Sequence, residues 1–286
     1  PIFRRTETAC AAAFALFSFA SCSAVDPVAL AGKDRVETGK SADIPRGKPA
    51  ESRYFGIETS EPYVAMTFDD GPHPTLTPRL LDILKERDIK ATFYVVGKNA
   101  KAFPKIIQRM VEEGHEVGNH TWNHPNLARL SDSGVRSELQ RTHDAIVAAC
   151  GVAPVTLRAP FGSLKKSQRE WIFSEWGYPS VMWAVDPEDW VPKNRNPATV
   201  KNNILTATDP GEIVLAHDIH KSTVDAMPET LDALAAKGFK FVTVSQMFHL
   251  ENAAREQREA DAALTEEPEQ SGAGAPGVLA SDQARN

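Results

Sequence analysis

The chain has 286 residues, of which 42% are hydrophobic and 24% charged, ordinary proportions for a globular protein with a real core. Its formal net charge is −6, and residues 251–286 carry eight acids against three arginines, a net of −5 that leaves the remainder near −1. No basic surface for nucleic acid follows from that balance.

Residues 1–24 read as a targeting segment. Arg4 and Arg5 precede "ACAAAFALFSFASC", an apolar stretch too short for a membrane span and suited to a signal peptide. "FASC" ending at Cys22 resembles a bacterial lipoprotein signal, whose cysteine is lipidated and anchors the chain to the membrane. Ordinary cleavage after "CSA" is the alternative. Either route predicts an extracytoplasmic protein, secreted, periplasmic or membrane-anchored. Of the three cysteines, Cys10 falls within the signal and Cys22 is lipidated or lost with it. Cys150 then stands alone as a small core residue, and no internal disulfide is expected.

Residues 25–60 are polar and aperiodic and read as a flexible tether. Residues 61–250 carry the periodic signals. "YVAMTF" (63–68), "ATFYVV" (91–96), "HEVGNH" (115–120), "VTLRAP" (155–160), "PSVMWAVD" (179–186), "EIVLAHD" (212–218) and "FVTV" (241–244) predict strands. Between them, stripes such as Leu80, Ile83 and Leu84, or Val224, Met227, Leu231 and Leu234, predict helices. Thr77-Pro78 and Asn196-Pro197 read as helix starts, and the glycines of "EEGHE" and "AKGFK" as helix ends. Residues 251–286 begin helix-like and then become an acidic, largely disordered tail.

Alternating strands and helices imply an α/β fold with a parallel sheet, either a barrel or an open sheet. Both architectures gather functional groups at the carboxyl ends of the strands. Asp69 and Asp70 follow the first run, His120 the third, Arg158 the fourth, Asp186 the fifth and His217 the sixth. Two adjacent carboxylates raise each other's pKa unless cations lie beside them. "HTWNH" (120–124) spaces two histidines four apart; on a helical turn both imidazoles would share a metal, and with one aspartate they make a two-His, one-carboxylate site. The plain alternative is that His120 ends a strand and His124 sits in a loop. His143 falls on a core stripe. Trp171 and Trp176 read as helix packing, and Trp122 and Trp183 as possible groove walls.

"TFDDGP", "HTWNHP", "RAPFG", "DPEDW" and "IVLAHD" occur in the order and spacing of the polysaccharide deacetylases, carbohydrate esterase family four, and residues 61–250 resemble that family throughout. The resemblance implies a distorted (β/α)7 barrel and metal-dependent removal of acetyl groups from a polysaccharide of the peptidoglycan or chitin type. It assigns Asp70, His120 and His124 to the metal and Asp69 to the general base, with Arg158 holding Asp69 ionised. His217 becomes the general acid and Asp186 the residue that orients it. Trp190 and Leu215 become apolar walls of the substrate groove. The backbone N–H of Phe161, where the family often has tyrosine, is a candidate oxyanion donor. Zinc suits these ligands, and cobalt, nickel or manganese fit the same set. A monomer is the expected working unit. The rival readings are an O-acetyl esterase on the same site, a carbohydrate-binding envelope protein without catalysis, and a glycosidase. The last fits poorly, because its carboxylates stand about 5 Å or more apart across the sugar.

Overall fold

The computed structural model describes residues 52–265. The signal-like segment, Cys22, most of the expected tether and the tail beyond Thr265 lie outside them. In chain order the strands are β1 (Arg53–Tyr54), β2 (Tyr63–Asp69), β3 (Thr92–Val95), β4 (Glu116–Asn119), β5 (Ser180–Val181), β6 (Glu212–His217) and β7 (Lys240–Phe241). The helices are α1 (Leu76–Glu86), α2 (Gly97–Ala102), α3 (Pro104–Glu112), α4 (Asp132–Cys150), α5 (Lys166–Trp176), α6 (Pro197–Ala207), α7 (Lys221–Ala236) and α8 (Val244–Thr265).

β2 is the axis of the fold. Every residue from Val64 to Asp69 is buried, as expected of a parallel strand covered on both faces. It pairs in parallel with β6 from Val64↔Glu212 to Asp69↔His217, and with β3 from Thr67↔Thr92 to Asp69↔Tyr94. β7 joins its start at Tyr63 and Val64, and β4 extends the sheet from β3. Single parallel bridges carry the pairing onward: Asn119 to Leu157, Leu157 to Ser180, and Val185 back to Val214 of β6. The strands thus form an α/β ring closed by bridges, a distorted barrel. The expected strand at 155–160 shrinks to the bridging residue Leu157, and that at 179–186 to the two residues of β5 and the bridge at Val185. Pro154, Pro160 and Pro179 supply no N–H to a ladder there.

Helices pack around this ring through the stripes the periodicity predicts. Leu80, Leu81 and Leu84 of α1, Ile107 and Met110 of α3, and Met227, Leu231 and Leu234 of α7 are fully buried in one core with Phe68 and Val214. α6 begins at Asn196, whose side chain accepts from the N–H groups of Ala198 and Thr199. α1 begins two residues earlier than Thr77-Pro78 suggested, with Thr75 at the cap. The ring of His73 accepts from Leu76 N–H at 3.1 Å and does the capping instead.

Two boundaries differ from expectation. The fold starts by Arg53, not 61: β1 pairs with β5, Gly56 bridges Glu212, and Tyr54 packs on Phe248 with ring centroids 5.1 Å apart. A two-residue strand has no period to read, so this segment resembled a tether. At the other end α8 runs unbroken past 250, anchored by buried Met247 and Phe248. Cys150 is a free, half-buried thiol and His143 meets the Tyr178 hydroxyl at 2.7 Å. Among the described residues no helix is long and apolar enough to cross a membrane.

Candidate active site

At the end of β2 the two carboxylates part company. Asp69 keeps the strand conformation, whereas Asp70 has φ 74° and turns the chain into a cis Gly71–Pro72 peptide. Asp69 Oδ1 accepts from Arg158 Nη1 at 2.8 Å. Asp70 Oδ1 faces His120 Nε2 at 3.4 Å and His124 Nε2 at 3.2 Å. Glycine is required at 71, because a Cβ there would lie 2.4 Å from both carboxylate oxygens of Asp218. Asp218 is wholly buried and accepts from the Thr77 hydroxyl. Burial, with the charges of Asp70 and Asp69 beside it, pushes its carboxyl up to about 7 against the Thr77 hydrogen bond.

His120 and His124 come from a loop rather than a helical turn. Thr121 and His124 have φ 67° and 60°, and the loop is tied down from several sides. Asn119 Oδ1 accepts from Thr121 N–H at 2.9 Å, and Thr121 Oγ1 accepts from His124 N–H at 3.1 Å. Glu138 of α4 accepts from the N–H groups of Trp122 and Asn123, each at 2.8 Å. The two rings stand with centroids 5.0 Å apart.

The donor set calls for a cation. His120 Nδ1 lies 2.7 Å from the Arg158 carbonyl, which accepts only a proton, so Nδ1 carries the hydrogen and Nε2 presents a lone pair. That lone pair points at Asp70 Oδ1, a buried oxygen with no hydrogen-bond partner. One donor atom each from Asp70, His120 and His124 falls within a 4.8 Å cluster. Lone pairs converging in this way suit a divalent ion with open positions. Burial alone would raise the Asp70 carboxyl, but His120, with the charges of His124 and His217 beside it, holds it well below the carboxylate range. Burial, then the neighbouring His120, lowers His124.

Arg158 is fully buried. Its Nη1 also donates to Thr67 Oγ1 at 2.6 Å and its Nη2 to the Met182 carbonyl at 2.8 Å, while the guanidinium lies 4.3 Å from the Tyr94 ring centre. Its charge is therefore matched by Asp69, and both are held rigidly.

His217 ends β6 directly opposite Asp69 in the ladder. Its partner is Asp189, not the expected Asp186. His217 Nδ1 lies 2.7 Å from Asp189 Oδ1, and Asp189 Oδ2 accepts from His217 N–H at 2.9 Å and Thr223 Oγ1 at 2.7 Å. Asp186 instead accepts from Glu188 N–H at 2.7 Å and Trp190 Nε1 at 3.4 Å, shaping the loop that carries Trp190. The spacing of "DPEDW" offers both carboxylates to the site, and only burial distinguishes them: Asp189 has no exposed surface. Burial alone would lower the His217 pKa, but the Asp189 hydrogen bond and charge, with Asp69 and Asp70, push it up to about 9. Asp189 moves the other way: burial opposes, yet the bond to His217 lowers it.

Asp69, Asp70, His120, His124, Asp186 and His217 open onto one pocket of about 370 Å³. Its apolar walls are Phe161, Trp183, Trp190 and Leu215. Phe161 is 69% exposed and Trp190 51%, and the Phe161 ring meets His124 edge-on with centroids 4.7 Å apart. Trp122 does not reach the pocket; it lies under Arg141 at 4.2 Å and lines a separate cavity. Of the six non-glycine residues with positive φ among the described residues, five (Asp70, Thr121, His124, Phe161 and Glu188) lie at this edge of the barrel. Strain of this kind concentrates where function over-determines the backbone.

A candidate metal site of Asp70, His120 and His124 beside Asp69 and His217, at the carboxyl ends of parallel strands, is the arrangement of a hydrolase built on an α/β barrel. The polysaccharide deacetylase family model matches residues 56–181. A peptidoglycan-N-acetylglucosamine deacetylase of Bacillus cereus is 39% identical over 202 residues, covering 68% of this chain and 72% of that protein. The corresponding enzyme of Listeria monocytogenes is 40% identical over 185 residues, and this chain spans only 38% of its length. A solved peptidoglycan N-acetylglucosamine deacetylase superposes with a TM-score of 0.66 at 36% identity, covering 68% of this chain and 92% of that one. The chain belongs to the polysaccharide deacetylase family, carbohydrate esterase family four.

Proposed function

We propose that the protein removes N-acetyl groups from N-acetylglucosamine units of a cell-wall polysaccharide, with peptidoglycan as its substrate, outside the cytoplasm. The observation that carries this reading is the convergence of Asp70, His120 and His124 lone pairs beside Asp69 and His217. The names of its relatives support peptidoglycan, and the signal-like segment ending near Cys22 supports export and lipid anchoring.

Asp70, His120 and His124 would hold a divalent ion, zinc by the chemistry of the ligands, which would supply a water whose pKa falls from 15.7 towards about 7 and a Lewis acid for the acetyl carbonyl. Asp69, kept ionised by Arg158, takes the proton of the attacking water. His217, protonated at neutral pH through Asp189, gives a proton to the departing amine. The Phe161 N–H, which has no acceptor among the described residues, is placed to receive the developing oxyanion. Phe161, Trp190 and Leu215 are the apolar surfaces for the sugar and its methyl group. The test is acetate release from purified peptidoglycan and from chitooligosaccharides, with and without chelator. The reading expects release that stops on chelation and returns with added zinc. Cleaved chains in place of acetate, or no acetate from any acetylated glycan with metal supplied, would overturn it.

A further inference from the structure

Beside the catalytic pocket lies a second cavity, of about 390 Å³, lined by Arg195, Ile219, His220, Lys221, Ser222 and Asp225. The two adjoin through neighbouring residues. The His220 ring stands 5.8 Å from that of His217, and Arg195 Nη2 donates to the carbonyl of Trp190 at 3.3 Å. A polymer that continues past His217 and Trp190 on this side brings its next sugar over this cavity.

The cavity is built for negative charge. Its one acid, Asp225, is already engaged on both oxygens, by Arg79 Nη1 and by Lys221 Nζ. Arg195 has no carboxylate partner among the described residues; its one side-chain hydrogen bond there goes to the Trp190 carbonyl. That leaves an unmatched guanidinium and a surplus of positive charge in a concave surface next to the reacting group. A guanidinium fork suits a carboxylate, to which it can donate two parallel hydrogen bonds. The positive end of the sixteen-residue helix α7, whose first residues line the same cavity, adds to this field.

We propose that this cavity binds a carboxylate carried by the sugar next to the one being deacetylated, and so makes the enzyme prefer an acidic glycan to a neutral chitin-type one. The inference rests on the deacetylase reading above and sharpens its substrate. In a polymer that alternates N-acetylglucosamine with its lactyl ether, every neighbour of a cleaved N-acetylglucosamine brings such a group, as a free lactyl acid or at the end of a peptide attached to it.

The test titrates the metal-loaded full chain with a disaccharide of N-acetylglucosamine and N-acetylmuramic acid, and with its neutral methyl ester. The acid is expected to bind about tenfold more tightly than the ester, with the difference shrinking as salt is raised. Arg195→Glu should abolish the difference, read as the ratio of acid to ester binding, which loss of the hydrogen bond to the Trp190 carbonyl alone would leave unchanged. Equal binding of acid and ester by the unmutated chain, or a preference that survives Arg195→Glu, would overturn the proposal. A disaccharide whose lactyl group is amidated to a dipeptide identifies the source of the charge. Arg195-dependent binding as tight as the free acid assigns it to the peptide, and binding as weak as the ester assigns it to the lactyl group. Failure of the deacetylase reading shows separately, as absent acetate from every glycan, because the binding comparison needs no turnover.

Discussion

The two halves of the active site solve the problem of buried charge in opposite ways. On the His217 side the charged pair is satisfied within the protein: Asp189 takes the imidazole Nδ1, a backbone N–H and the Thr223 hydroxyl, and supplies the counter-charge. On the Asp70 side the arrangement is incomplete, with a buried carboxylate oxygen lacking any donor and an imidazole lone pair directed at it. Buried polar groups are normally satisfied, and each exception asks for a reason. In the proposed function the satisfied half would hold a proton for delivery, and the unsatisfied half would take a cation. Asp69 links them, paired to Arg158 and aligned with His217 across the β2–β6 ladder.

That contrast can be broken most sharply at the incomplete half. His120→Ala removes a ligand and should lower deacetylation by more than about a thousandfold, with added zinc restoring little; near-normal turnover would mean that the cluster is not the metal centre. Next comes the link between the halves. Asp69→Asn keeps shape but loses the base, and kcat should fall by about a hundred- to ten-thousandfold, measured as acetate release under saturating substrate.

The satisfied half should respond through pH. His217 is protonated below about 9, so activity should fall as pH rises through that value. Asp189→Asn removes the group that raises it, so the basic limb should move to lower pH and kcat should drop by about a hundredfold. An unmoved limb would separate His217 from that ionisation. Asp186→Asn should cost less than about tenfold, chiefly in KM, because Asp186 touches the Trp190 loop and not the imidazole. The smallest effect is expected of Phe161→Tyr, within about threefold in kcat/KM, since the backbone N–H is retained; a gain beyond that would give the side chain a part in the chemistry.

Much of this arrangement was legible in the sequence, and for a physical reason. Strands of a parallel sheet deliver reactive groups at one edge, so Asp69, Asp70, His120, Arg158 and His217 could be gathered from their positions after apolar runs. The same rule misled at Asp186, which also follows such a run, whereas the bond to His217 falls to Asp189 three residues on. Choosing between them needs burial, which spacing does not carry. Asp218 and Thr77, which underlie the Gly71 turn, were hidden for the same reason. β1 was invisible because two residues show no alternation, and the strand at 155–160 was over-read because apolar content does not reveal that flanking prolines break the ladder.

Metal content after purification, measured per chain for the unmutated protein, Asp69→Asn and His120→Ala, tests the division between the two halves most directly. One divalent ion per chain is expected in the first two and almost none in the third. Equal retention in all three, or equal loss from both variants, would contradict the assignment of Asp70, His120 and His124 to the metal and of Asp69 to the base.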